Sequence, residues 1–197
     1  IKDSRLYLQC KRQRLDEPLR QMGFDCPKSK DCFVSMLGQR QCQPYTVITS
    51  KMVFMPQEGE AAGLAVIQAM NHQMHFCRTC TGERQFLQLT VTSAEYDSPP
   101  YFPGFASTNR STVLAETEWN SEEIVLQIEM ENEKFTIRYG TSENALQELA
   151  VVDGALLNPE KVGCMSGTVA GMYATGNGED RGHYAGFDWF EIKSKIP

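Results

Sequence analysis

From about Gln43 onward, apolar and polar positions follow each other with the short periods of strands rather than the longer period of helices. The clearest case is "EIVLQIEMENEKFTIRYG". Ile124, Leu126, Ile128 and Met130 fall on one face, with Val125, Gln127 and Glu129 on the other. After the polar turn "ENE", Phe135, Ile137 and Tyr139 alternate with Lys134, Thr136 and Arg138. Such a pattern predicts an antiparallel pair with one dry face and one wet face. "YTVITSKMVFMP" is β-branched and aromatic and stops at Pro56. "AAGLAVIQAM" is nearly continuous apolar sequence with a glycine inside, as in a strand covered on both faces. "HQMHFCR" and "RQFLQLTVT" predict two more strands around the turn "TCTGE". Near the end, "TVAGMYA" and "YAGFDWFEI" predict two strands joined by the loop "TGNGEDRGH". Many short strands with turn signals between them predict an all-β fold, a two-sheet antiparallel β-sandwich or a barrel.

Two stretches break the pattern. "DEPLRQMGFDCPKSKDCF" carries Pro18, Gly23 and Pro27 and no sustained period, and "EYDSPPYFPGFASTNRS" is rich in Pro, Gly and Ser. Both are expected to be irregular. The second holds Tyr101, Phe102 and Phe105, and aromatic loops on a rigid scaffold are where binding concentrates. No repeat or linker divides the chain, so residues 1–197 are expected to form one domain.

Composition narrows the function. The chain has 197 residues, 41% hydrophobic and 22% charged, enough to bury a core without staples. Its net charge of −6 argues against nucleic acid, which needs a basic footprint. No run approaches the ~20 apolar residues of a membrane helix. Seven cysteines, an odd number at irregular spacing, fit free thiols better than a disulfide framework. With no signal peptide in view, the expected location is the cytoplasm, although a chain that begins at Ile1 reads as a fragment.

Three constellations invite chemistry. His72, His75, Cys77 and Cys80 have the right types for tetrahedral zinc. Their spacing lacks two separated ligand pairs, and alternation puts His75 and Cys77 opposite His72, so strand residues with a free thiol pair are the better reading. Glu116, Glu118, Glu122 and Glu123 surround Trp119. Paired carboxylates can hydrolyse glycosides, but a charged turn before a strand is expected to be solvated. In the final stretch, Glu179, Asp180 and His183 fall in a loop, while Asp188 interrupts the apolar run of Phe187, Trp189 and Phe190. A carboxylate there needs backbone N–H groups, a basic side chain or one structural calcium ion; a hydrogen-bonded aspartate is the simpler reading. No other cofactor is indicated, and no catalytic residue stands out.

Read in order, "MLGQRQ", "VFMPQEGEAAGLAVIQ", "FTIRYG", "GTVAGMYA" and "YAGFDWFEIK" carry a resemblance. Over roughly residues 6–193 the chain resembles the C-terminal concanavalin A-like β-sandwich of β-xylosidases and α-L-arabinofuranosidases in glycoside hydrolase family 43. The resemblance implies a jelly-roll sandwich that is not itself catalytic. In that family the catalytic carboxylates belong to a five-bladed propeller of the same polypeptide, acting on xylo- or arabino-oligosaccharides. One sandwich loop can lend an aromatic side chain to the rim of the propeller's pocket. The matching residue is Phe33, and Arg40 and Gln41 match the family's Arg-Gln pair, expected to orient that loop. The alternative is a carbohydrate-binding module acting through Tyr101, Phe102 and Trp119.

Overall fold

The computed structural model describes residues 1–15, 34–69, 72–96, 106–158, 162 and 167–195. Twelve strands are described: β1 (Leu6–Gln9), β2 (Ser35–Arg40), β3 (Tyr45–Val53), β4 (Ala61–Ala69), β5 (His72–Thr81), β6 (Arg84–Tyr96), β7 (Ala106–Glu118), β8 (Glu123–Glu131), β9 (Lys134–Gly140), β10 (Leu146–Asp153), β11 (Val169–Thr175) and β12 (Tyr184–Lys195). They form two six-stranded antiparallel sheets. The first has the order β1-β12-β3-β8-β9-β10 and the second β2-β11-β4-β5-β6-β7. The expected β-sandwich is therefore what the chain adopts.

Alternation decides which side chains meet between the sheets. Ile48 and Met52 of β3 face inward with Ile124, Leu126 and Ile128 of β8, and all are buried. From the second sheet, Leu64, Val66, Met74, Phe76, Leu87 and Leu89 complete the same cluster. Met172 and Phe187 join it, and Phe190 packs against it from a partly buried position. Gly63 belongs to the buried outward face of β4. The expected hairpin β8–β9 turns at Asn132, whose φ of 52° is the left-handed conformation that a tight turn demands.

The structure departs from the sequence reading in three places. Regular strands begin well before Gln43, because β1 and β2 lie beside the chain's late strands. The Pro/Gly/Ser-rich stretch is only partly irregular, since β7 starts at Ala106 and runs through Ser111. Finally, β11 and β12 do not pair with each other. β11 lies between β2 and β4, and β12 lies between β1 and β3, so residues 176–183 cross from one sheet to the other. At about 10 Å between packed sheets, an eight-residue connection spans that gap easily.

Candidate functional site

Phe33, Tyr101 and Phe102 lie outside the described residues. The described neighbours of Phe33 begin at Val34, which packs beside Leu15 and Met36 on a small outward cluster of the second sheet. β2 then runs along the sheet edge to Arg40. Five residue steps separate Ser35 from Arg40, about 17 Å of strand. At the far end, the Arg40 guanidinium occupies the space over Gly167, where a Cβ would lie 2.8 Å from its Nη1. The Gln41 N–H donates to the Thr168 carbonyl at 2.8 Å, and its side-chain amide donates to the Gln43 carbonyl at 3.0 Å. Thr168 in turn donates its hydroxyl to Gln68 Oε1 at 2.6 Å. The Gln41 and Thr168 bonds, with the Arg40 side chain lying over Gly167, brace the corner where β2, β4 and β11 meet. They run at the opposite end of β2 from Val34.

Trp119 is half-buried. Its ring meets Tyr139 edge to face at 5.6 Å, and its indole N–H donates to the Glu123 carbonyl at 3.3 Å. It packs against the inter-sheet core.

The acids and histidine of the last loop separate on folding. Glu179 and Asp180 are exposed. His183 Nδ1 lies 2.6 Å from Oε2 of Glu60, a buried carboxylate at the end of the β3–β4 turn. The Gln57 N–H donates to the same oxygen at 2.8 Å, and Asn177 donates to the Gly59 carbonyl at 2.7 Å. Two bonds thus fasten the crossing connection to the β3–β4 turn. Sequence reasoning missed Glu60, because its partner is 123 residues away.

Cys10 sits beside this pair, its N–H donating to the His183 carbonyl at 2.8 Å. A cysteine, a histidine and a glutamate together suggest a nucleophile. The thiol is in the wrong state for that role. Burial, reinforced by the negative charges of Glu60 and Asp180, pushes Cys10 up to about 12. Burial likewise holds Cys77 at about 11 and raises Cys80. Iodoacetamide at pH 8 is therefore expected to label exposed Cys42 quickly and to leave Cys10 and Cys77 unmodified until denaturant is added. Peptide mass mapping reads this directly, and fast native labelling of Cys10 would contradict the burial argument.

The histidine–cysteine string divides as alternation predicts. His75 and Cys77 face outward, with the His75 ring 5.7 Å from Tyr173. His72 is buried on the opposite face, where desolvation lowers its pKa. The Cys77 thiol donates to the Gln88 carbonyl at 3.7 Å and the Cys80 thiol to the Gly82 carbonyl at 3.3 Å. Among the described residues, no three His, Cys, Asp or Glu side chains converge as metal ligands.

Asp188 is the extra residue of a β-bulge, where the register of β12 on β3 shifts between Phe187 and Trp189. The bulge turns its carboxylate out of the aromatic run. Arg5 Nε donates to one oxygen, and Lys51 Nζ lies 3.4 Å from the other. Basic side chains, one of the partners that the sequence allowed, thus hold this carboxylate.

Among the described residues, the most buried charge is Arg78 on β5, with no exposed surface. It donates to the carbonyls of Phe54 and Ser121 and meets Met55 Sδ at 3.0 Å. One guanidinium thereby ties the β3–β4 turn to the β7–β8 turn, and burial lowers its pKa.

A family model described as the β-xylosidase C-terminal concanavalin A-like domain matches residues 19–193. Among solved structures, GH43B of the Bacteroides ovatus xyloglucan locus is 20% identical with a TM-score of 0.72, covering 96% of this chain and 32% of that one. The GH43 protein BlXynB from Bacillus licheniformis is 18% identical with a TM-score of 0.74, covering 95% and 32%. The xylan β-1,4-xylosidase from Bacillus halodurans is 15% identical with a TM-score of 0.73, covering 96% and 33%. No curated protein matches the chain. The chain thus spans about a third of the length of these solved structures. On the family match over residues 19–193, the chain belongs to the β-xylosidase C-terminal concanavalin A-like domain family.

Proposed function

We propose that this chain is the accessory sandwich of a family 43 glycosidase, packing on a catalytic propeller of the same polypeptide and completing its pocket for xylo- or arabino-oligosaccharides. The observation that carries this reading is the family match across nearly the whole chain, in relatives of three times its length. Carboxylate chemistry supports it. Glycoside hydrolysis needs an acid and a base or nucleophile flanking one sugar. Six of the described carboxylates are already engaged in ion pairs: Glu60 with His183, Asp188 with Arg5 and Lys51, Glu123 with Lys51, Glu118 with Arg84, Glu129 with Arg138, and Glu191 with Lys193. Within the proposal, Phe33 supplies an apolar platform at the pocket rim.

The test has two arms. This chain alone should not turn over aryl β-xyloside or aryl α-arabinofuranoside. In a protein carrying propeller and sandwich together, Phe33→Ala should lower kcat/KM several-fold, the effect of losing one stacked ring, with Tm unchanged. Turnover by the chain alone that a single carboxylate substitution abolishes would refute the accessory role. Unchanged kinetics for Phe33→Ala would refute the pocket role.

A further inference from the structure

The outward face of the first sheet carries an organised polar surface. Register places Glu191, Thr49, Gln127, Arg138 and Glu148 directly opposite one another on β12, β3, β8, β9 and β10. This is a polar track crossing five strands. Gln127 Nε2 donates to Thr49 Oγ1 at 3.1 Å, and Arg138 Nη1 donates to Gln127 Oε1 at 3.1 Å and to Glu129 Oε2 at 2.6 Å. The Tyr45 hydroxyl donates to the other Glu129 oxygen at 2.6 Å. Cross-linking of this kind fixes side chains whose ordering costs entropy, and it leaves them pre-set for a ligand.

Much of the charge on this face is paired. Asp188, Glu123, Glu129 and Glu191 are bonded to Arg5, Lys51, Arg138 and Lys193. Glu131, Glu148, Asp153 and Lys134 register on the same face and leave it mildly acidic. Such a face offers donors and acceptors with charges of both signs, which suits an uncharged polar ligand rather than an anion.

Aromatic rings complete it. Trp189 lies opposite Lys51 on the same face, partly exposed and outside the core cluster. It borders the track, two residues from Glu191. Tyr7 of β1 is 38% exposed, and its ring edge lies 3.2 Å from where a Gly186 Cβ would stand, so the glycine gives the ring a place on the sheet. Tyr184, 48% exposed, is diagonal to it across the β1–β12 pair. Aromatic faces beside a balanced set of amide, guanidinium and carboxylate groups match the two sides of a sugar ring. Its C–H face stacks, and its hydroxyls exchange hydrogen bonds. An apolar partner would have to bury these ion pairs at a cost.

We propose that this face binds a neutral oligosaccharide along the polar track, with Trp189 and Tyr7 as stacking platforms. Four strand spacings from β12 to β10 give about 19 Å of track, room for several sugar units, and Tyr7 stands about 13 Å farther along the strands, beyond Trp189. The proposal does not rest on the pocket role of Phe33.

Titration of this chain with xylohexaose, followed by amide NMR shifts and calorimetry, tests it. Shifts should map to β12, β3, β8 and β9. Trp189→Ala should weaken binding roughly tenfold, as for one lost stacking platform, and Arg138→Ala several-fold. Arg84→Ala, on the other sheet, should leave binding unchanged, and circular dichroism should show every variant folded. Absence of binding by xylohexaose, cellohexaose and arabinohexaose at millimolar concentration would overturn the proposal. So would binding indifferent to both Trp189→Ala and Tyr7→Ala, or binding lost when a propeller domain is attached. Failure here leaves the kinetic test of Phe33 standing, because that test reads turnover and not this face.

Discussion

Gly63→Ala is expected to destabilise the fold by about 3 kcal/mol or more. A Cβ at Gly63 would lie 2.2 Å from the Phe76 carbonyl oxygen and 2.7 Å from the Cys77 Cα, both backbone atoms of the neighbouring strand. No rotamer change relieves a clash with backbone, and β4 and β5 are held between β11 and β6. Overpacking in a tight interior commonly costs about 1–3 kcal/mol, and contact with fixed backbone puts this site at or above the upper end. Gly82→Ala is the control. Gly82 has open space around its Cβ position but a φ of +63°, so its substitution reports left-handed strain alone, about 1 kcal/mol. Urea unfolding of both variants separates the two causes. If Gly63→Ala were as mild as Gly82→Ala, close strand approach would not be what requires glycine in "EAAGL".

Arg78→Met should cost about 3 kcal/mol. Methionine keeps much of the volume and removes a buried charge, which by itself favours stability. It also strips the Phe54 and Ser121 carbonyls of their donor, and each buried acceptor left bare costs about 1–3 kcal/mol. The second effect dominates because one guanidinium serves two turns at once. At this chain length the loss corresponds to a fall in Tm of about 6–12 °C. Arg78→Lys should recover only part, since an ammonium lacks the planar fork. A Tm unchanged in Arg78→Met would mean that the two carbonyls find other donors.

What the sequence disclosed depended on burial. β8 and β9 were legible because every inward position of each is apolar and buried while the outward positions are mostly polar, although Val125 and Thr136 are buried there too. β4 was legible as a continuous apolar run because its outward face is covered too, with Ala61 and Ala65 buried there. The edge strands were not. β2 is largely exposed, and β10 exposes Val151, so neither writes a clean period. β11 and β12 read correctly as strands, yet nothing local says that they enter different sheets. At the level of sites, the separation of His72 from His75 and Cys77 followed from strand geometry alone. Asp188 could be flagged as needing a partner, but the bulge that turns it toward Arg5 and Lys51 depends on β3 and β1. Glu60 and Arg78 gave no signal, because their partners come from distant turns. The polar track was half visible as the wet positions of β8 and β9. Its alignment with Thr49 and Glu191 needed the register.

β11 and β12 sit inside their sheets rather than at the edges, each wedged between strands made at least a hundred residues earlier. During synthesis, β3 and β4 therefore leave the ribosome long before their second hydrogen-bonding neighbours exist. Neither sheet can close until the final segment inserts. Contacts of such sequence separation slow the search for the native state and leave strand edges open meanwhile. Refolding of this chain should accordingly be slow and sensitive to protein concentration. Cutting the chain after residue 168 should leave both sheets split, an aggregating species rather than a smaller sandwich.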